Sequence, residues 1–220
     1  MTNGEILAHV DHTLLKAVSS WAEIEKLCAE AIRYRTASVC VPPSYVRRIH
    51  EAHPGLVICT VIGFPLGYSV SAAKLREAEA ALADGASELD MVINIGDVKN
   101  GDFAAVAGEI SALKKTAGDN VLKVIVETCY LTAEEKLRLC EIVTEAGADY
   151  IKTSTGFGAS GATMEDVLLF KAHVGPAVKI KAAGGIRTRE DMVQFLSAGC
   201  DRLGTSSAVA ILTGGGGAGY

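Results

Sequence analysis

Lys152 closes the apolar run Asp149-Tyr150-Ile151-Lys152-Thr153-Ser154-Thr155-Gly156-Phe157. A lysine on a buried strand loses solvation, and desolvation favours the neutral amine over the ammonium. A neutral amine is a nucleophile that forms Schiff bases with carbonyl compounds. Two further charges interrupt apolar runs, Lys181 and Asp90. Two cations beside one carboxylate push the first lysine toward neutrality, which makes Lys152 the expected nucleophile. The competing account is a structural ion cluster, since such networks also perturb their members.

Two glycine-containing segments suggest a place for an anion. Lys181-Ala182-Ala183-Gly184-Gly185-Ile186-Arg187 follows one apolar run and Leu203-Gly204-Thr205-Ser206-Ser207 closes the next. Loops of this kind bind phosphate through backbone N–H groups, glycine allows close approach, and Ser206 and Ser207 add hydroxyls. Two plain turns would show the same pattern. Arg187 fits either a distant phosphate contact or a solvent-facing position. No H-x-x-x-H pair or carboxylate cluster proposes a metal site, so neither metal nor cofactor is expected. His12 adjoins Asp11 but is otherwise isolated, Trp21 opens a helix as a packing residue, and Cys40 is a small buried filler at a strand end.

The elements that must position these residues alternate regularly. Strands are expected at 10–14, 37–41, 57–63, 88–95, 122–128, 150–154, 178–182 and 202–205. Helices are expected at 21–34, 44–53, 72–84, 103–117, 133–146, 164–173, 189–198 and 207–212. Thr132 and Thr188 each precede an acidic first turn as hydroxyl caps. Gly55, Gly85, Gly118, Gly147, Gly175 and Gly199 sit just past helix ends, where left-handed geometry is wanted. Asp90 and Lys152 each lie five residues after such a glycine, Gly85 and Gly147. The equal offset puts them at matching heights on strands four and six, and alternate strands of a parallel barrel share an interior layer. The expectation is one (β/α)8 TIM barrel over 1–213 with a flexible glycine-rich tail over 214–220. A doubly wound open sheet is the alternative, but no G-x-G-x-x-G turn follows the first strand.

Composition narrows the classes. Apolar residues make up 49% of the 220 positions, enough for a large core, and the net charge of −5 argues against a nucleic-acid or polybasic membrane surface. The six cysteines form no C-x-x-C pair, and free thiols, no signal segment and no long apolar stretch suggest a cytoplasmic protein without a membrane partner.

The runs Glu88-Leu89-Asp90-Met91-Val92-Ile93-Asn94, Ile151-Lys152-Thr153-Ser154-Thr155-Gly156-Phe157, Lys181-Ala182-Ala183-Gly184-Gly185-Ile186-Arg187 and Val10-Asp11-His12-Thr13-Leu14-Leu15 closely resemble the deoxyribose-phosphate aldolase family, in order along the chain. That resemblance implies a metal-free class I aldolase that cleaves 2-deoxy-D-ribose 5-phosphate to D-glyceraldehyde 3-phosphate and acetaldehyde. By the same resemblance Lys152 is the Schiff-base lysine, Lys181 the second lysine, and Asp90 the proton donor and acceptor. Gly184, Gly185, Gly204, Ser206 and Ser207 fall where the family grips phosphate. With Asp11, Thr155 and Gly156 they form the expected substrate-contacting set. Tyr220 matches a mobile terminal tyrosine linked to proton exchange at the enamine carbon, although polyglycine alone suggests plain disorder. Phe157 stands where some members carry a phosphate-binding lysine, and Ala182 replaces a proline of some relatives. The partner expected is a small phosphorylated sugar, with a homo-oligomer, dimer or tetramer, left open. A phosphosugar isomerase using Asp90 as base, or a catalytically dead phosphate sensor, would share the glycine loops without needing the nucleophile.

Overall fold

Short apolar strands flanked by amphipathic helices need both faces covered, and in the computed structural model they achieve this by closing into a ring. The structure describes residues 1–214. The strands are β1 (Val10–Thr13), β2 (Ser38–Val41), β3 (Ile58–Ile62), β4 (Glu88–Val92), β5 (Val121–Ile125), β6 (Tyr150–Lys152), β7 (Lys179–Ala183) and β8 (Arg202–Thr205). All pair in parallel in chain order, and β8 returns to β1 through Val10↔Leu203 and Asp11↔Gly204. The barrel, rather than the open sheet, is therefore the architecture.

The helices are α1 (Asn3–Leu7), α2 (Trp21–Tyr34), α3 (Val46–Ala52), α4 (Ser71–Ala83), α5 (Ile95–Lys99), α6 (Phe103–Ala117), α7 (Ala133–Glu145), α8 (Met164–His173), α9 (Arg189–Ser197) and α10 (Ala208–Thr213). Thr132 and Thr188 cap α7 and α9 as expected, each in a reciprocal box with the acidic residue three positions on. Ser20 and Glu23 do the same for α2, which buries Ile24, Leu27, Cys28 and Ala31 at helical spacing. The main core fills the layer between barrel and helices. A smaller apolar cluster of Cys40, Cys59 and Val61, flanked by Leu15 and Phe64, sits apart from it.

Several boundaries differ from the sequence expectation. The apolar stretch Ile93-Asn94-Ile95 is no strand extension: Asn94 leaves β4 and caps α5 through its side chain. Proline at 43 starts a 3-10 turn, so the helix expected from 44 becomes α3 only at Val46. Gly175 is not left-handed, unlike the five other glycines that follow helices. It is small because an added Cβ would lie 2.4 Å from Thr144 Cγ2, and its N–H donates to Thr144 Oγ1 at 2.9 Å. Of the expected tail, Gly214 caps α10 in left-handed geometry; 215–220, with Tyr220, lie outside the described residues. Among the described residues no helix is long and apolar enough to cross a membrane.

Candidate active site

The interior of such a barrel is ordinarily packed with branched apolar side chains. Here the registers Asp90↔Lys123 and Lys152↔Lys181 put charges on adjacent strands, and the barrel encloses them. Asp90, Lys123 and Lys181 have no exposed surface, and Lys152 is 3% exposed. The equal-offset argument holds: Asp90 on β4 and Lys152 on β6 meet across the interior, with Lys152 Nζ donating to Asp90 Oδ2 at 2.6 Å. Lys181 Nζ donates to the same oxygen at 2.7 Å, and Lys123 Nζ donates to Oδ1 at 2.9 Å. Cys59 adds a thiol contact to Oδ1 at 3.1 Å.

A second set of contacts lies toward the amino ends of the strands. Lys181 also donates to Asp11 Oδ2, Ser38 donates to Asp11 Oδ1 at 2.8 Å, and Arg202 donates to Asp11 Oδ1. Glu88 accepts from Lys123 at 2.5 Å and from Arg202 at 3.1 Å. The expected imbalance of two lysines against one carboxylate is thus corrected. The cluster holds Lys123, Lys152, Lys181 and Arg202 against Asp11, Glu88 and Asp90. Glu88 and Arg202 open their strands and Lys123 sits mid-strand, and all three turn inward.

Burial strongly favours the neutral form of Asp90, yet Lys123, Lys152 and Lys181 outweigh it and hold the carboxyl well below the usual carboxylate range. Asp11 is held low in the same way, against its own burial, by Lys181, Lys123 and Arg202. Burial would release the Lys181 proton, but Asp11 and Asp90 hold it well above the usual lysine value. Lys123 likewise stays charged despite burial, with Asp90 the leading partner. Lys181 and Lys123 are therefore ammonium groups in the resting cluster. Lys152 differs in geometry: its ammonium has one carboxylate partner, and it alone of the three lysines borders the open pocket.

That pocket, about 390 Å³, opens at the carboxyl ends of β6, β7, β8 and β1. Its wall includes Lys152, Thr155, Gly156, Gly184, Gly185, Gly204, Ser206 and Ser207, and Arg187 stands at its edge. Gly156, Gly184 and Gly185 have φ of 87°, 79° and 75°, which leaves their backbone free to face the pocket without a Cβ. Gly204 is needed for another reason: its Cβ would lie 3.1 Å from Lys181 Cε, so it clears the path of that side chain. Asp11, expected to contact substrate, lies below the pocket wall, fully buried and engaged by Lys181, Ser38 and Arg202. Phe157 is half exposed and packs edge-on against Phe64, ring centres 5.3 Å apart, outside the pocket lining. Cys40 is a buried filler of the small apolar cluster. His12 is not isolated: it meets Glu30 of α2 at 2.8 Å, on the outer side of β1.

Four contributors escaped the sequence reading or received no role in it. Lys123 carries the same signal as Lys152, a lone cation inside an apolar strand. Glu88 and Arg202 begin strands, where charge usually marks a solvated end. Glu127 takes left-handed geometry at φ 55°, is 2% exposed, and accepts from the Thr155 N–H at 3.2 Å and from its hydroxyl. It fastens the β6 loop over the pocket. The remaining deep thiols are not nucleophiles: burial pushes Cys28 to about 11 and Cys140 and Cys200 to about 12.

Barrels of this kind keep their chemistry at the carboxyl ends of their strands, and a buried amine opening onto a polar pocket is equipment for carbonyl compounds. The class is a (β/α)8 barrel enzyme equipped to act on carbonyl compounds. Residues 6–212 match the family described as DeoC/LacD family aldolase. A deoxyribose-phosphate aldolase of Clostridium botulinum is 62% identical over 215 residues, covering 97% of each chain. One from Clostridioides difficile is 56% identical, covering 94% of this chain and 95% of the relative. The solved deoxyribose phosphate aldolase of Aeropyrum pernix, described as having a unique tetrameric structure, superposes with a TM-score of 0.90 at 33% identity, over 96% of this chain and 91% of that one. The chain belongs to the DeoC/LacD aldolase family, among its deoxyribose-phosphate aldolases.

Proposed function

We propose that the chain cleaves 2-deoxy-D-ribose 5-phosphate to D-glyceraldehyde 3-phosphate and acetaldehyde through a Schiff base on Lys152. The observation that carries this reading is the position of Lys152 Nζ, 2.6 Å from Asp90 and at the inner wall of the glycine-lined pocket. The free amine attacks C1 of the open-chain aldehyde to give a carbinolamine, and loss of water gives the protonated imine. The C3 hydroxyl then gives up its proton, the C2–C3 bond breaks, and its electron pair moves into the imine as an enamine. Glyceraldehyde 3-phosphate leaves. The enamine takes a proton at C2, and water hydrolyses the resulting imine to acetaldehyde and free Lys152.

Asp90 and Lys181 are the groups placed to move these protons, a contribution of about 10²–10⁴-fold in comparable sites. Three ammonium groups make Asp90 a weak base at rest, so there it orients the amine. It gains basicity once Lys152 is neutral. Lys181, held charged by Asp11 and Asp90, is the matching donor. The phosphate falls to the wall formed by Gly184, Gly185, Gly204, Ser206 and Ser207, with Arg187 at the edge, and its binding energy orients C1 against the amine. Tyr220 enters by resemblance alone, as the group exchanging protons at the enamine carbon. A homo-oligomer belongs to the same reading, supported by the tetrameric relative.

Turnover of 2-deoxyribose 5-phosphate, followed as glyceraldehyde 3-phosphate released, tests the assignment. The wild-type protein should turn over and Lys152→Leu should be inactive while melting within a few degrees of wild type. A variant retaining more than about a hundredth of the wild-type rate would exclude Lys152 as the nucleophile, since covalent catalysis cannot survive loss of its amine.

A further inference from the structure

The ionic cluster extends well beyond the reacting amine. Arg202 and Glu88 are the first residues of β8 and β4, at the amino-terminal floor of the barrel, whereas the pocket opens at the carboxyl ends. They pair with each other at 3.1 Å. From Glu88 the contacts run through Lys123 to Asp90 and so to Lys152, and from Arg202 through Asp11 to Lys181 and again Asp90. The groups facing this column come from every strand. They are Asp11, Cys40, Cys59, Glu88 and Asp90, Lys123, Tyr150 and Lys152, Lys179 and Lys181, and Arg202, with the Arg202 guanidinium 5.6 Å from the Tyr150 ring centre and Lys179 Nζ 5.7 Å from it. Burial and Cys40 keep the Cys59 thiol protonated.

Lys179 is solvent-exposed and outside these ion pairs. With every paired member ionised, the four cationic side chains exceed the three carboxylates by one positive charge. The volume holding them is largely buried and opens at Lys152 and, slightly, at Arg202. An unbalanced buried charge is costly. Loss of one lysine proton restores the balance, and the contacts decide which lysine gives it up. Lys123 faces Glu88 at 2.5 Å, Asp90 at 2.9 Å and Asp11 at 3.7 Å; Lys181 faces Asp11 and Asp90; Lys152 faces Asp90 alone. The proton on Lys152 is therefore the one whose loss sacrifices the fewest ion pairs.

We propose that Glu88 and Arg202 are positioning residues that set, from the floor of the barrel, how readily Lys152 becomes the free amine, by fixing the charge surplus of the cluster that joins them to it. This rests on the Schiff-base reading of Lys152 and adds two remote residues to it. Removing the Arg202 charge leaves three cations and three carboxylates, balanced with Lys152 still protonated, so the amine becomes harder to free. Removing the Glu88 charge doubles the surplus and makes it easier to free. Removing both restores the original surplus of one.

The test is the pH dependence of acetaldehyde adduct formation at Lys152, trapped with cyanoborohydride and read by peptide mass mapping. Wild type, Glu88→Gln, Arg202→Gln, the double variant and Arg202→Lys are compared. The acid limb should move down by about one pH unit in Glu88→Gln and up by about one unit in Arg202→Gln, the size expected for one charge a few contacts away in a partly screened interior. It should return to the wild-type position in the double variant and stay there in Arg202→Lys. A packing defect alone would lower adduct yield at every pH without moving the limb. Each single variant fixes its own sign, so failure of one to fold leaves the other decisive. Limbs that stay put, or that move in the same direction in both single variants, overturn the inference while leaving the Schiff base intact. Absence of any Lys152 adduct in wild type overturns the Schiff-base reading itself and this inference with it.

Discussion

Asp90 accepts from three lysines. Lys123, Lys152 and Lys181 together keep it ionised, and Lys152 also receives its orientation from it. Replacing Asp90 with Asn keeps the shape but removes the charge and one acceptor. Steady-state kinetics should show kcat reduced by at least about 10²-fold, the scale of a lost acid–base group. KM for the phosphorylated substrate should change little, because the phosphate wall is built from β7 and β8. A KM effect larger than the kcat effect would place Asp90 in binding instead. At this scale the sequence was most informative about single charges in apolar runs. Lys152, Lys181 and Asp90 stand out because burying a charge is costly and needs a reason. Lys123 obeys the same rule on β5, and the floor pair Glu88 and Arg202 is hidden because strand starts are commonly wet.

The loops gain their precision from backbone touching backbone. Ala162 N–H donates to Ala183 O at 3.0 Å and to Gly184 O at 3.1 Å, pinning the loop after β6 onto the loop after β7. Gly161 sits in this seam, where an added Cβ would lie 2.2 Å from Gly184 C and O. Gly161→Ala should therefore displace the Gly184–Gly185 segment. The expected result is a KM for 2-deoxyribose 5-phosphate raised at least about tenfold with kcat changed less, since only binding energy for the phosphate is lost. An unchanged KM would show that this seam does not shape the phosphate wall. The seam was not legible beforehand: the sequence marked Gly184 and Gly185 as glycines that let a phosphate approach closely but could not say that a third glycine packs on them. Helix starts were legible because a hydroxyl and an acid three residues apart satisfy free N–H groups locally. Helix ends were less so: Gly175 follows its helix for clearance from Thr144, not for left-handed geometry.

Across the whole molecule, eight regular alternations of apolar runs with capped amphipathic segments, with no G-x-G-x-x-G turn after the first strand, were enough to expect a barrel over an open sheet. What alternation does not reveal is how polar the interior is. A buried ion cluster is weak evidence for stability, because desolvation offsets its attractions, and its place beneath the pocket points to chemistry. It should also govern the pH range of the fold. Asp11 and Asp90 titrate below their ordinary 3.8 when folded, so their contribution is present above that value and is lost as pH falls toward the folded values. Lys123 and Lys181 titrate above their ordinary 10.5, so their contribution is complete below that value and is lost as pH rises toward the folded values. Urea midpoints should be level between these limits as far as this cluster decides them, fall at lower and higher pH, and fall less steeply on the acid side in Asp90→Asn. An acid slope unchanged in that variant would show that carboxylates outside the cluster control acid unfolding.

The central claim is that Lys152 is a nucleophilic amine, and the direct measurement is an intact mass after incubation with acetaldehyde and borohydride, followed by peptide mapping. One reduced two-carbon adduct on the peptide carrying Lys152, absent from Lys152→Leu, is the predicted result. No adduct, or adducts spread over surface lysines, would contradict the Schiff-base mechanism and return the site to a non-covalent use of Asp90.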